Sequence, residues 1–161
     1  MGWGGAVLVA AVLTAGLMAG LFAAFSYAVL PGLGRAGDAV FVEAMQRINV
    51  AILNGWFGIC FGGALVFSVL AAVLHLGPDR RSALPWIVAG AVLYLLVLLV
   101  TTAVSVPLND RLAAAGATDP AAAREAFETA WVRWNVVRTV LNTAAFGCLT
   151  WAVVLHGRLT G

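Results

Sequence analysis

Apolar residues fill four long runs of the chain, at about residues 3–30, 48–76, 84–106 and 135–156. Charged residues are almost confined to the segments between them. At a rise of about 1.5 Å per residue, runs of this length cross a hydrocarbon core of about 30 Å. A backbone in lipid must satisfy its own hydrogen bonds, so each run is predicted to be a helix. The expected fold is all-α: an integral membrane antiparallel four-helix bundle, one domain over residues 1–161. The first run resembles a signal peptide only in position. It has no basic leader and is too long for a signal core, so it is read as a span.

Glycine and proline punctuate these runs. Pro31-Gly32 is expected to end the first span. The polar stretch after it reads as helical and is expected to run straight into the second span, giving one helix from about Asp38 to His75. Gly77-Pro78 and Pro85 bound a tight connector, and "VPLND" is expected to close the third span. Asp119 can cap a new helix with Pro120 at its first position, and that helix should continue into the fourth span. Gly16 and Gly20 in the first span permit close helix contact.

The exceptions to this pattern carry the chemistry. In the fourth span Trp131, Asn135, Arg138 and Asn142 recur at helical spacing and share one face. In the second, Gln46 and Asn49 share a face with Leu53, Phe57 and Cys60. Tyr27 follows the small Gly20/Ala23 stripe of the first, and Ser105 and Asn109 close the third. An antiparallel bundle brings these groups, with Ser26, to one end. Arg138 costs roughly 2.5–3.5 kcal/mol at mid-membrane, and amides from neighbouring helices can offset this. Two readings stay open: a polar pocket for a ligand, or an arginine reaching the interface beside amides that join helices. Trp56, Trp131 and Trp134 fit an interfacial belt or a substrate cradle. Glu43 and Glu128 are either proton acceptors or partners of Arg47 and Arg124.

Composition narrows the class. Of 161 residues, 63% are hydrophobic and 10% charged, too few polar groups to cover a soluble domain. The net charge of +2 comes from arginine without lysine and forms no dense patch, so no nucleic-acid partner is expected. All-arginine usage with abundant Ala, Gly and Val fits a bacterial plasma membrane protein. The adjacent Arg80 and Arg81 favour cytoplasmic termini. Cys60 and Cys148 lie inside spans and form no CxxC pair. The two histidines, His75 and His156, sit at the opposite end from the polar cluster. With so few donors, no metal, haem or flavin is expected.

Four segments resemble one family: "GLFAAFSYAVLPGL", "FVEAMQRINVAILN", "VPLND" and "WVRWNVVRTVLN". They occur in the order expected of the anthrone oxygenase-like family, and the resemblance covers nearly the whole chain. It implies a small four-span membrane protein. Some fungal members are implicated in oxidising anthrones to anthraquinones with O2 and without a cofactor. It further implies a lipophilic, aromatic substrate. Arg138, Asn135 and a carboxylate such as Glu43 would then be catalytic, with Glu128 and Asp110 as other carboxylates. Gln46, Asn49, Tyr27, Asn109, Trp131, Trp134 and Asn142 would form the substrate site. Many members have a histidine where this chain has Val136, so the base is expected to differ here. The alternative is a non-enzymatic four-span protein that binds a lipophilic ligand or partner. Membrane lipid surrounds either one, and a homo-oligomer is compatible with both.

Overall fold

A computed structural model describes the backbone of residues 2–77, 81–116 and 118–160. Pro78, Asp79 and Arg80 lie outside these described residues, so the sidedness expected from Arg80-Arg81 and the Gly77-Pro78 punctuation are not settled by the structure. Among the described residues five helices occur in order: α1 (Trp3–Leu33), α2 (Asp38–Ala51), α3 (Gly55–Leu74), α4 (Leu84–Ala115) and α5 (Pro120–Thr160). Helices α1, α3, α4 and α5 are long and apolar enough to cross a membrane. They form an antiparallel bundle of the integral membrane type. No strand occurs among the described residues.

Helix α1 ends at Leu33, directly after the Pro31-Gly32 signal, whereas α4 passes through Pro107 and runs on to Ala115. Each proline follows a π-helical turn, Phe25–Val29 and Thr101–Ser105. A proline has no N–H and its ring crowds the carbonyl four residues back. A wider turn just ahead of the proline absorbs both defects. Helix α4 stops at Gly116, whose φ of +61° suits a residue without a side chain.

The expected continuous helix from Asp38 to His75 is broken. The chain leaves helical geometry after Ala51, and Asn54 starts α3 as its N-cap, its Oδ1 accepting from Phe57 N at 3.0 Å. Asn54 Nδ2 also donates back to Ala51 O at 2.9 Å, closing the turn from the other side. Asn54→Ala is expected to destabilise the protein by about 1 kcal/mol, whereas Asn54→Asp keeps the cap. Thermal unfolding in detergent checks this, and an alanine variant as stable as wild type would contradict it.

Two cores result. One lies within the bundle, around Leu8, Ala15, Phe22, Tyr94, Val97 and Leu149. Close approach builds it: a Cβ on Gly90 would sit 2.8 Å from Leu149, and one on Gly16 would sit 2.9 Å from Phe146. Gly20, the other half of the expected contact pair, faces open space. The second core is a cap beyond one end of the bundle. There α2 packs on the ends of α1 and α4 and on the first turns of α5 through Leu30, Phe41, Met45, Leu112, Phe127 and Trp131. Helix α5 builds both, because its 41 residues run about 60 Å, twice the hydrocarbon thickness. Asp119 caps it, accepting from Ala122 N at 3.1 Å, with Pro120 next.

Arg124 ties the cap down. Its guanidinium donates to Gly34 O and Ala36 O (both 2.9 Å), the free carbonyls where α1 ends. It also pairs with Glu128 at 2.6 Å and Asp38 at 3.0 Å and lies over the Phe41 ring.

Candidate functional site

A cavity of about 360 Å³ lies where the bundle core meets the cap. Its walls are mostly aromatic and aliphatic: Phe22 and Phe25 from α1, Phe57 and Phe61 from α3, and Trp131 from α5. Phe57 and Phe61 stack at 5.0 Å, and Phe25 meets Trp131 at 5.8 Å. Both π-helical turns border it, since Phe25 belongs to one and Thr101 and Ser105 to the other. The linker between α2 and α3 closes one side, with Val50 and Leu53 largely exposed.

The polar floor is built upward from Asn135. Its Nδ2 donates to Phe22 O at 3.1 Å and to Ser26 Oγ at 2.8 Å, which locks α5 to α1 beside the π turn. Ser26 Oγ lies 2.9 Å from Thr139 Oγ1 and extends the same seam. With its amide nitrogen committed, Asn135 turns Oδ1 to Arg138, which donates to it from Nη2 at 3.0 Å. Arg138 is only 4% exposed. Its guanidinium carbon lies 4.6 Å from the centre of the Phe22 ring and 5.1 Å from that of Trp131. Two such ring contacts, at roughly 0.5–2 kcal/mol each, with one charged hydrogen bond, at roughly 1.5–3 kcal/mol, can offset the burial of this charge. They still leave Nε without an acceptor. Among the described residues no carboxylate forms an ion pair with Arg138.

The expected bond from Arg138 to Gln46 or Asn49 is not made. Gln46 Nε2 donates instead to Leu112 O at 2.8 Å and fastens α2 to α4. Trp131 Nε1 donates to Asn109 Oδ1 at 2.8 Å and fastens α5 to α4. Asn49 Nδ2 is buried and has no partner. Of the lining amides, Gln46, Asn109 and Asn135 are therefore committed, while Asn49 Nδ2 and Arg138 Nε have no protein acceptor.

Six of the residues expected at the site line the cavity: Gln46, Asn49, Asn109, Trp131, Asn135 and Arg138. Four do not. Glu43 is exposed and paired with Arg47 at 2.7 Å. Tyr27 is 73% exposed, and Gly20 on the same stripe also faces open space, so this stripe of α1 points away from the bundle. Trp134 lies on another face of α5, beside Arg133 and Val137. Asn142 is fully buried one turn beyond Arg138, and neither Nδ2 nor Oδ1 has a protein partner. An unpaired buried amide costs about 1–3 kcal/mol. Asn142→Leu is thus expected to raise the detergent melting temperature, and a lower one would show that the amide has a partner.

Val136 is 46% exposed and points away from the cavity. Asp110 is the one carboxylate among the described lining residues. Glu128, the remaining candidate, is committed to Arg124. Phe57 shares the face read for Gln46 and Asn49, whereas Phe22, Phe25, Phe61 and the two threonines were not expected from the sequence. A signal was present: "AVLP" and "AVSVP" repeat the same approach to proline in α1 and α4, at the turns that border the cavity.

The histidines lie at the far end, buried, with His75 Nε2 3.0 Å from His156 Nδ1. His75 Nδ1 donates to Ala71 O at 2.7 Å, so the two rings contact each other directly. No cluster of three or more metal-ligating side chains occurs among the described residues.

Comparison with curated proteins gave no match, and neither did comparison with solved structures. The family model described as anthrone oxygenase matches residues 55–148. This stretch runs from the start of α3 well into α5 and includes Asn109, Asp110, Trp131, Asn135 and Arg138. It covers more than half of the chain, which belongs to the anthrone oxygenase family.

Proposed function

We propose that this chain is a membrane oxidoreductase that binds a lipophilic, enolisable phenolic ketone of the anthrone class and oxidises it with O2. One observation carries the reading. Two donors, Arg138 Nε and Asn49 Nδ2, are buried at an aromatic-walled cavity and have no acceptor within the protein. Such a floor favours a ligand that presents an oxygen, above all one bearing negative charge.

The chemistry asks little more. Removing a proton from the ring CH2 of an anthrone places the charge on the carbonyl oxygen across the ring. Arg138 and Asn49 hydrogen-bond that oxygen and stabilise the anion as it forms. Asp110 accepts the proton, being the lining carboxylate not engaged elsewhere. The carbanion then gives an electron to O2. The carbon radical and superoxide combine as a peroxide, which loses water. The net change is CH2 plus O2 to C=O plus H2O. Apolar substrate and O2 both partition into the bilayer, which suits an aromatic-walled site within a membrane bundle.

An oxygen electrode tests the reading with purified protein in nanodiscs and an anthrone as probe. The expected result is one O2 consumed per anthrone, anthraquinone as product, and a rate well above that of empty nanodiscs. A rate equal to the empty control would overturn the oxidase reading.

A further inference from the structure

We infer that the ligand of this site carries a linear hydrocarbon tail, and that the tail lies in a groove along the seam between α3 and α4. The inference rests on the proposed ligand pocket and names a property of what enters it. Helices α3 and α4 pack less extensively than α1 with α3 or α4 with α5. The ring-lined cavity occupies one end of this loose seam, with Phe57 and Phe61 on α3 and Thr102 on α4.

A second hollow, of about 350 Å³, occupies the rest of the seam. Its walls are Leu65, Val69 and Ala72 from α3, with Val88, Ala91 and Leu95 from α4, and every lining residue is apolar. Leu65 lies one helical turn after Phe61 on the same face, so the hollows lie end to end, about 6 Å apart along the helix. From Leu65 to Leu76 the groove runs about 16 Å. Ala72 and Ala91 supply its depth, where larger side chains would fill it. A head group held by Arg138 and Asn49 would direct a substituent out of the cavity past Phe61 and into this groove. A linear alkyl or isoprenoid chain fits that shape and polarity, and a compact polycycle would leave it to bulk lipid.

Two probes separate these cases: 2-hydroxy-1,4-naphthoquinone, an acidic enol, and its 3-undecyl derivative. Binding to wild type in nanodiscs is monitored by tryptophan fluorescence, with probe expressed as mole fraction in the lipid to remove simple partitioning. The tailed probe is expected to bind at least about tenfold more tightly. Ala72→Phe and Ala91→Phe should each bring the two affinities together while leaving the tailless probe unchanged, which also shows that the variants are folded. Equal affinities in wild type, or a tail advantage that survives both substitutions, would overturn the inference and assign the groove to bulk lipid. If neither probe binds wild type, the pocket reading falls, and this inference with it.

Discussion

Arg138→Lys is expected to leave the bundle folded and to weaken binding of the tailless enolic probe by about 30- to 140-fold. The figure is a charged hydrogen bond at roughly 2–3 kcal/mol, converted at 1.4 kcal/mol per decade. The physical basis is the planar fork of the guanidinium. Nη2 serves Asn135 while Nε stays free for the ligand, and the flat face rests between Phe22 and Trp131. An ammonium is a compact, strongly hydrated charge and cannot meet these demands together. Arg138→Leu should remove binding of the anion altogether and still insert and fold, because it deletes a buried charge. Binding by fluorescence and unfolding in detergent, measured on the same three samples, check both statements. Binding that persists in the leucine variant would contradict them.

Asp110→Asn is expected to lower turnover by about 10²- to 10⁴-fold, with probe affinity close to that of wild type. Asparagine keeps the size of the side chain and removes its capacity to take a proton. Asp110→Glu should recover part of the rate, since a carboxylate one methylene longer still reaches into the cavity. Retained probe binding in the asparagine variant shows that it is folded. Oxygen uptake at saturating anthrone is the measurement. Full activity in Asp110→Asn would move the base to another group or to water.

The bundle was legible because hydropathy alone sets it: a charge-poor run of twenty residues has few other places to go. The breaks within it were less so. Asn54-Gly55 is a turn signal, yet the apolar periodicity on either side suggested one helix. Pro107 gave the opposite error, since a π turn let α4 continue to Ala115. Tyr27 was placed by the Gly20 stripe, and small residues marked that face without showing that it points outward.

At the site, helical spacing placed Trp131, Asn135 and Arg138 on one inward face, and all three line the cavity. Spacing gives a face but not a depth, so Asn142 shared the face and fell beyond the floor. Nor could it show which amides were already spent. Gln46 and Asn109 hold helices together while Asn49 stays free, a division set by where the cap core of Phe41, Met45, Leu112 and Phe127 seats α2.

The most direct measurement is the 15Nε–1Hε resonance of Arg138, observed in nanodiscs while 2-hydroxy-1,4-naphthoquinone is added. A free donor that gains an anionic oxygen should shift downfield, saturate with the binding curve and exchange more slowly with water. The Nε resonance of Arg124, already held by Glu128, should stay in place. An Arg138 resonance that does not move while the probe binds would contradict a ligand oxygen at this guanidinium.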